Sequence, residues 1–373
     1  MASSIGAVLL TSATSFASGW TEVPGPASPK NPGIYGLASM SSSDTWAVGS
    51  SGSQGGKTLI ERWDGTSWNV VPNPVSLGQL RAVTALSSAD AWSVGFRDNV
   101  SARLTLVEHW DGTRWVEVPS PSIGTYDQLV GVSAVSSNDV WAVGYSISPN
   151  NAYILMHWNG TAWSLVEGPP VRDGVLSGVK ALASEDIWAV GYKDYNANNN
   201  TASTFTLHWD GTVWSEIPSP NVDASNFLAA VDGTAPDDLW AVGNSGGGAT
   251  IAFFHTLALH WDGTAWTVVP TPVITNSDAF TAVKVLSPRN VLAVGYSLSV
   301  GPLTQRWNGR QWRNISTPSG EEGALLFAIS DSGGTTWAAG YQYLSFPDTD
   351  ELFLQSTRGA KTDAAGEVNI RRK

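Results

Sequence analysis

The sequence predicts an all-β fold, a seven-bladed β-propeller with four antiparallel strands in each blade. Three observations predict it. A tryptophan pattern returns about every fifty residues, short β-like segments alternate with turn signals, and the first, second and third strand segments are equal in number. A segment near the N-terminus supplies the outer strand that the last repeat lacks, so we expect the N-terminal strand to close the ring.

All 19 tryptophans occupy three positions of the repeat. One opens a Trp-Ala-Val-Gly-like second strand, one ends the third strand before an Asp/Asn-Gly turn, and one opens the fourth strand. The second-strand set is Trp46, Trp92, Trp141, Trp188, Trp240 and Trp337, with Leu292 in the sixth repeat. The third-strand set is Trp63, Trp110, Trp158, Trp209, Trp261 and Trp307. The fourth-strand set is Trp20, Trp68, Trp115, Trp163, Trp214, Trp266 and Trp312.

One repeat shows how the strands follow one another. Between Leu80 and Pro119 the segments LRAVTALS, AWSVGFR, LTLVEHW and RWVEVP are separated by turn or loop signals. Asp-Gly and Asn-Gly between β-like segments favour a hairpin, because glycine adopts positive φ without steric cost. Four consecutive antiparallel strands are typical of one propeller blade.

The strand count decides between a closed ring and an open array. Fourth strands follow a third strand in only six repeats, and the segment from Trp20 to Pro24 is the seventh. An open array of six repeats and a partial one is the alternative, but it leaves two sheet edges unpaired. First strands begin near Ile34, Leu80, Leu129, Leu176, Phe227, Phe280 and Ala324.

Residues 20–357 resemble the Trp-rich bacterial β-propellers, which are loosely similar to kelch, Asp-box and fucose-lectin propellers. The strings DxWAVG and HWDGTxW carry this resemblance, for example at Asp139–Gly144 and His208–Trp214. The recurring Gly-Gly pair of kelch repeats is missing, the hairpin is one residue tighter than an Asp-box, and no spacing suits a WD40 repeat. The resemblance implies the fold and does not imply an activity.

Composition limits the function. The net charge of −12 repels phosphate backbones, so we expect no nucleic-acid partner. The chain contains no cysteine, and no segment is long and apolar enough for a membrane span. Residues 1–19 are interpreted as a leader or the remnant of a signal peptide, residues 20–359 as the propeller, and residues 360–373 as a solvated basic tail. We therefore expect a secreted or cell-surface protein.

The repeated polar positions have a structural interpretation. Alternation places Trp141, Val143 and Tyr145 on one face of the strand and the small Ala142 and Gly144 on the other, so a tryptophan of one blade can lie over the small face of the next. A Ser-x-Asp pattern, with Asp44, Asp90, Asp139, Asp186 and Asp238, suits a side chain that caps a turn. The histidines before the third-strand tryptophans, His109, His157, His208 and His260, come one each from four blades and are too far apart to share a metal, so we expect no metal site and no cofactor.

The loops that differ between repeats indicate the functional face. The connections between second and third strands vary most, at residues 97–103, 193–204 and 342–351. Specificity is commonly placed on such loops over a rigid scaffold. One residue per blade ends the second strand on this face. The candidate ligand-binding residues are the aromatic exits Phe96, Tyr145, Tyr192, Tyr296 and Tyr341, with Asp98, Asp194 and Asn196 beside them.

Three functions suit such a face. The first is a non-enzymatic binding module, with several shallow clefts where aromatic rings stack on sugars of a glycan or polysaccharide. The second is a protein–protein interaction scaffold. The third is a polysaccharide lyase or glycoside hydrolase with one site near the propeller axis, because a carboxylate pair from two blades leaves no sequence motif. A rim of aromatic residues that only packs is the structural alternative.

Overall fold

The computed structural model describes residues 19–26, 32–52, 56–148, 151–247, 253–317, 324–345 and 348–356. Within these ranges the chain is all-β, with 28 strands and no helix. The described residues accordingly include no helix that could cross a membrane. The expected tail, and the expected leader apart from Gly19, lie outside the described residues.

The strands follow the predicted order, with long first, second and third strands and a fourth strand of three residues. They are β1 (Trp20–Glu22), β2 (Pro32–Ser41), β3 (Asp44–Ser51), β4 (Lys57–Trp63), β5 (Trp68–Val70), β6 (Gly78–Ser87), β7 (Asp90–Asp98), β8 (Arg103–Trp110), β9 (Trp115–Glu117), β10 (Asp127–Ser136), β11 (Asp139–Ser146), β12 (Ala152–Trp158), β13 (Trp163–Leu165), β14 (Val175–Ala183), β15 (Asp186–Asn196), β16 (Thr201–Trp209), β17 (Trp214–Glu216), β18 (Ser225–Ala235), β19 (Asp238–Gly246), β20 (Phe254–Trp261), β21 (Trp266–Val268), β22 (Asp278–Ser287), β23 (Asn290–Ser297), β24 (Gly301–Trp307), β25 (Trp312–Asn314), β26 (Ala324–Ser332), β27 (Thr335–Ser345) and β28 (Asp348–Ser356).

The strands are grouped in antiparallel sets of four, which we call units. Five sheets hold one unit each, and an eight-stranded sheet holds two units joined by a parallel bridge between Ala202 and Ser225. In chain order, unit 1 is β2–β5, unit 2 is β6–β9, unit 3 is β10–β13, unit 4 is β14–β17, unit 5 is β18–β21, unit 6 is β22–β25, and unit 7 is β26–β28 with β1.

The N-terminal strand belongs to the last unit. Strand β1 pairs antiparallel with β28, and Trp20 lies opposite Ser356 in the same register in which Trp115 lies opposite Trp110. The segment at Trp20 is therefore the outer strand of unit 7, as the sequence predicts.

Alternating side chains on the second strands form the core between units. In unit 3, Trp141 and Val143 pack against unit 4, whereas Ala142 lies in the cluster that contains Trp92 of unit 2. The predicted placement of a tryptophan over the small face of the next unit is confirmed here. Equivalent clusters join each unit to the next and also join unit 7 to unit 1.

The first strands of consecutive units contact one another directly. Polar side chains link some of these strands. Asp232 of unit 5 is an ion-pair partner of Lys180 in unit 4, at 2.7 Å, and of Lys284 in unit 6, at 3.3 Å. It also accepts a hydrogen bond from the backbone N–H of Val285. One buried carboxylate therefore ties three units together.

The two kinds of hairpin turn differ in length. The Ser-x-Asp turn is a two-residue connection, because Ser136 pairs with Asp139. The Asp-Gly turn is a four-residue loop between the paired Trp110 and Trp115. Within it Gly112 has a φ of 92°, in agreement with the prediction of positive φ.

The Ser-x-Asp aspartates have a different role from the one expected. The serine that precedes this pattern caps the turn, since Ser136 accepts a hydrogen bond from the backbone N–H of Asn138. Asp139 instead bonds to His157 at 2.8 Å, and that imidazole stacks on Trp141. The aspartate thus holds a third-strand side chain against the second-strand indole. The same pairing is His109–Asp90, His208–Asp186, His260–Asp238 and Arg62–Asp44.

Candidate functional site on the variable-loop face

We use the name variable-loop face for one end of the units. At this end the second strand of each unit leads into the third strand, and each unit leads into the next. In unit 4 the loop on this face is shorter than the sequence predicts. Strand β15 continues to Asn196, which pairs with Thr201 at the start of β16. Most of the expected loop 193–204 is therefore a β-hairpin that is longer than its counterpart in unit 3.

Every first strand has a β-bulge at the same place, between a buried apolar residue and a glycine or alanine. A bulge leaves one residue without a partner in the ladder and changes the direction of its side chain. All seven bulged side chains are partly exposed. The bulged residues are Tyr35, Arg81, Val130, Ser177, Ala229, Thr281 and Phe327.

Four aromatic rings from units 6, 7 and 1 meet at this level. The bulged Phe327 stacks on the exit residue Tyr341, with ring centroids 5.3 Å apart. Tyr35 meets Phe327 at 5.7 Å and Tyr341 at 6.4 Å, both edge-on. Tyr296 lies 6.5 Å from Phe327. Two of the predicted residues, Tyr296 and Tyr341, therefore share one cluster with two bulged residues.

A second group of rings lies between units 4 and 5. Tyr192 meets Phe227 edge-on at 4.8 Å. Tyr195, from the extended hairpin, lies 6.1 Å from Tyr192 and 6.3 Å from Phe227. Tyr192 is thus packed against its neighbours and keeps part of its ring exposed.

Arg81 is a cation between the rings of Tyr35 and Phe96, and no described acidic residue forms an ion pair with it. Its guanidinium lies 4.7 Å from the Tyr35 ring and 5.6 Å from the Phe96 ring. Its buried Nε has no hydrogen-bond acceptor among the described residues. Burial lowers the pKa of Arg81, and the nearby Tyr35 and Tyr145 oppose that effect. The guanidinium remains charged, because arginine is not deprotonated at ordinary pH.

Beside it, Arg103 covers Phe96. The Arg103 guanidinium lies 3.6 Å from the Phe96 ring centroid and 4.5 Å from that of Tyr126, and it pairs with Asp98 at 2.8 Å. Phe96 is only 1% exposed. The expectation that its ring stacks on a sugar therefore does not fit this arrangement, in which Arg103 and Tyr126 form the accessible surface.

The phenols on this face are hydrogen-bond donors at neutral pH. Burial raises the pKa of Tyr192 to about 12, and it also raises the pKa of Tyr145 and Tyr296. A tyrosine with a raised pKa keeps its proton well above pH 7. These groups can bond to hydroxyl or carboxylate oxygens of a ligand.

A cleft of about 280 Å³ lies where units 4, 5 and 6 meet on this face. Tyr296 and Phe227 provide ring surface, and Asn200 and Asn244 provide amide groups. Asn244 occupies the position of an aromatic exit in unit 5. An aromatic wall beside amides has the chemistry expected of a sugar-binding cleft.

The polar residues Asp194 and Asn196 lie on the extended hairpin. Asp194 has a φ of 55°, its backbone N–H donates to the Arg172 carbonyl, and its carboxylate lies 3.6 Å from the Arg172 Nε. Asn196 accepts a hydrogen bond from the N–H of Asn198. Asn196 thus supports the turn of the hairpin, Asp194 joins the hairpin to Arg172, and no described contact joins either residue to the aromatic rings.

Sequence reasoning missed the bulged residues. Tyr35, Arg81 and Phe327 stand between a buried apolar residue and a small residue, a position whose side chain changes in every repeat. That variability within an otherwise regular strand was the available signal. The strand period alone could not show it, because a bulge interrupts the period.

Comparisons with known proteins identify the fold. No family model and no curated protein matches the chain. Solved β-propeller structures do match it. The structure of YCF48 bound to D1 peptide is 15% identical, covers 92% of this chain and 98% of its own, and has a TM-score of 0.57. The WD40 β-propeller domain of Doa1 is 11% identical, with coverage of 90% and 97% and a TM-score of 0.57.

A third similar structure is that of a polysaccharide lyase of family PL25, an ulvan lyase bound to -[GlcA(1-4)Rha3S]-. It is 12% identical, covers 91% of this chain and 97% of its own, and has a TM-score of 0.59. Identities this low support the fold alone. The chain is thus an all-β protein of four-stranded units with the β-propeller fold, and its neighbours bind ligands as different as a peptide and a polysaccharide.

Proposed function

We propose that the seven units are the blades of one closed ring and that this propeller is a non-enzymatic module that binds an acidic polysaccharide on the variable-loop face, where the local charge of Arg81 acts against the net charge of −12. The core cluster between units 7 and 1 and the pairing of β1 with β28 support closure. Secretion or display at the cell surface belongs to the same proposal and rests on the apolar segment from Ile5 to Leu10.

The observation that carries the proposal is the guanidinium of Arg81, which lies among aromatic rings and whose buried Nε has no hydrogen-bond acceptor among the described residues. Sugars stack on aromatic faces and bond to phenols through their hydroxyls. A guanidinium binds a carboxylate through two parallel hydrogen bonds. Tyr35, Tyr145 and Arg81 therefore offer a ring face, a phenol donor and a cation to one uronic acid residue. The cleft at Tyr296 offers the same polymer a second contact.

Retention on a charged polymer and on its neutral derivative tests this function. The full chain is run in native gels that contain polygalacturonate or its fully methyl-esterified form. We expect retention on the acid and much less on the ester. Arg81→Gln should lower retention on the acid by about tenfold or more, the usual effect of losing a charge-assisted bond.

Arg310→Gln is the matched control, because Arg310 is an exposed arginine in the Asp/Asn-Gly turn of unit 6, on the opposite face. Equal retention on acid and ester, or retention that survives Arg81→Gln, would exclude the Arg81 site. Retention on neither polymer would favour the scaffold, since one similar structure holds a peptide.

Polysaccharide cleavage is a second candidate. The charge of Arg81 acts on the Tyr145 phenol, so a cation and a proton donor lie close enough to interact electrostatically. A lyase needs a cation that neutralises the uronate carboxylate and a group that transfers protons. New reducing ends that accumulate with time in the same polymer would show turnover. A constant number of ends together with retention supports the binding module.

A further inference from the structure

Six of the seven junctions between units share a cluster of three indoles. The second-strand tryptophan of one unit lies 4.8–5.2 Å from the third-strand tryptophan of its neighbour. The fourth-strand tryptophan of that neighbour completes each cluster. The repeat therefore fills these junctions with aromatic volume.

The junction between units 6 and 7 departs from this pattern at two positions. Leu292 pairs with Arg306 in unit 6, and Trp92 pairs with His109 at the equivalent place in unit 2. A leucine therefore replaces the second-strand indole in unit 6. Ser356 stands opposite Trp20 and replaces the third-strand indole. One tryptophan, Trp20, belongs to this junction where the others have three.

A pocket of about 360 Å³ lies at this junction. The buried side chains of Trp20 and Leu292 line it, with Leu286 and Ile315 alongside. This volume is in the usual range for small-molecule sites. The pocket lies on the face of the Ser-x-Asp turns, away from Arg81.

Two arginines give the pocket a positive charge. In unit 1, Arg62 forms an ion pair with Asp44. In unit 6 the equivalent Arg306 donates to Asn290, a neutral amide, at 2.7 Å. Arg313 also lines the pocket, and neither arginine is in an ion pair among the described residues. No described aspartate or glutamate lines the pocket.

We propose that this pocket binds a small molecule that combines a flat ring of about indole size with one anionic group. Each of the other six junctions holds two more indoles than this one. The apolar part of the ligand should therefore have the size and shape of an indole. Arg306 and Arg313 supply charge-assisted donors to the anion at the open side. This site is independent of the polysaccharide site proposed above.

Indole-3-acetate and 3-methylindole are matched probes, because they share the ring and differ in the carboxylate. Isothermal titration of the full chain should show indole-3-acetate binding about tenfold tighter or more. The double variant R306Q/R313Q should reduce the affinity for indole-3-acetate to that of 3-methylindole. Arg310→Gln, on the same hairpin but outside the pocket, should leave both affinities unchanged.

Leu292→Trp restores the residue of the other six units and tests the shape. It should abolish binding of both probes and raise the melting temperature, which shows that the variant is folded. Binding that persists in folded L292W overturns the proposed location. Failure of both probes to bind the native chain overturns the site, and equal affinities for the two probes overturn the role of the arginines.

Discussion

The indole of Trp141 in unit 3 lies 5.2 Å from the indole of Trp209 in unit 4. Trp214 meets the same ring edge-on at 5.4 Å, and Trp141 is 2% exposed. Such aromatic pairs stabilise packing beyond the area that they bury. The repeated tryptophans therefore join units to one another, and none of the three contacts the variable-loop face.

We expect Trp141→Ala to lower the free energy of unfolding by about 3–5 kcal/mol, because it leaves a cavity between two units. That is a large part of the ~5–15 kcal/mol typical of a domain. Urea unfolding measures it. Val213→Ala, at a side chain that is 52% exposed in unit 4, should change stability by less than about 0.5 kcal/mol. Unchanged stability of Trp141→Ala with lost ligand binding would contradict the packing role.

A second prediction concerns the N-terminal strand. Deleting residues 1–24 removes β1 and Trp20, which leaves the edge of β28 and the core between units 6 and 7 exposed. Deleting residues 1–18 keeps the strand. The longer deletion should lower the melting temperature markedly, and the shorter one should have little effect. Equal melting of the two truncated chains would show that β1 does not stabilise unit 7.

A buried carboxyl group predicts a pH dependence of stability. Glu108 on β8 is fully buried, and among the described residues only the backbone of Val75 interacts favourably with its carboxylate. Burial, with a smaller effect of Glu117, raises the pKa of Glu108 to about 8. The unfolded chain loses this proton near pH ~4.3. Between these two values the folded state holds a proton that the unfolded state has released.

The free energy of unfolding should therefore fall as pH rises from about 4 to about 8, by a few kcal/mol at most, since each pKa unit corresponds to ~1.4 kcal/mol. Glu108→Gln should remove most of this slope and be more stable than the native chain near pH ~9. Melting curves across this range measure both. Glu167→Gln, at an exposed position, is the control and should keep the native slope.

The sequence predicts the regular parts of this fold because they depend on short-range patterns. Strand alternation places Trp141 and Ala142 on opposite faces, and the Asp-Gly signal marks the turn at Gly112. The N-terminal outer strand follows from counting strands. These features repeat in nearly every unit, so each copy supports the interpretation of the others.

The candidate site depends on contacts between units, which one repeat does not encode. Tyr35, Phe96 and Arg81 come from three different strands in two units and meet only after the units pack. The two-residue period of the strand does not reveal the bulge that directs Arg81 toward the rings. The burial of Phe96 likewise follows from Arg103, which belongs to the next strand of its unit. The sequence pattern therefore indicates the variable-loop face and its aromatic exits as candidates but does not indicate Arg81.

The last prediction separates ring stacking from phenol bonding on the variable-loop face. Tyr145 and Tyr192 are half-buried, and Tyr192 packs on Phe227. Changing both to Phe keeps the rings and removes the hydroxyls. Changing both to Ala removes the rings too and also lowers stability, because Tyr192 loses its packing contacts.

Retention on polygalacturonate should fall by about fivefold to a hundredfold in the double Phe variant, since each of the two lost hydrogen bonds corresponds to ~0.5–1.5 kcal/mol. Its melting temperature should stay near that of the native chain. The double Ala variant, measured well below its melting temperature, should lose nearly all retention, because a polymer released from one contact is held less well at the next. Full retention by the double Ala variant would place the polymer elsewhere. If the double Phe variant keeps full retention and the double Ala variant does not, Tyr145 and Tyr192 bind the polymer by ring stacking and not through their hydroxyls.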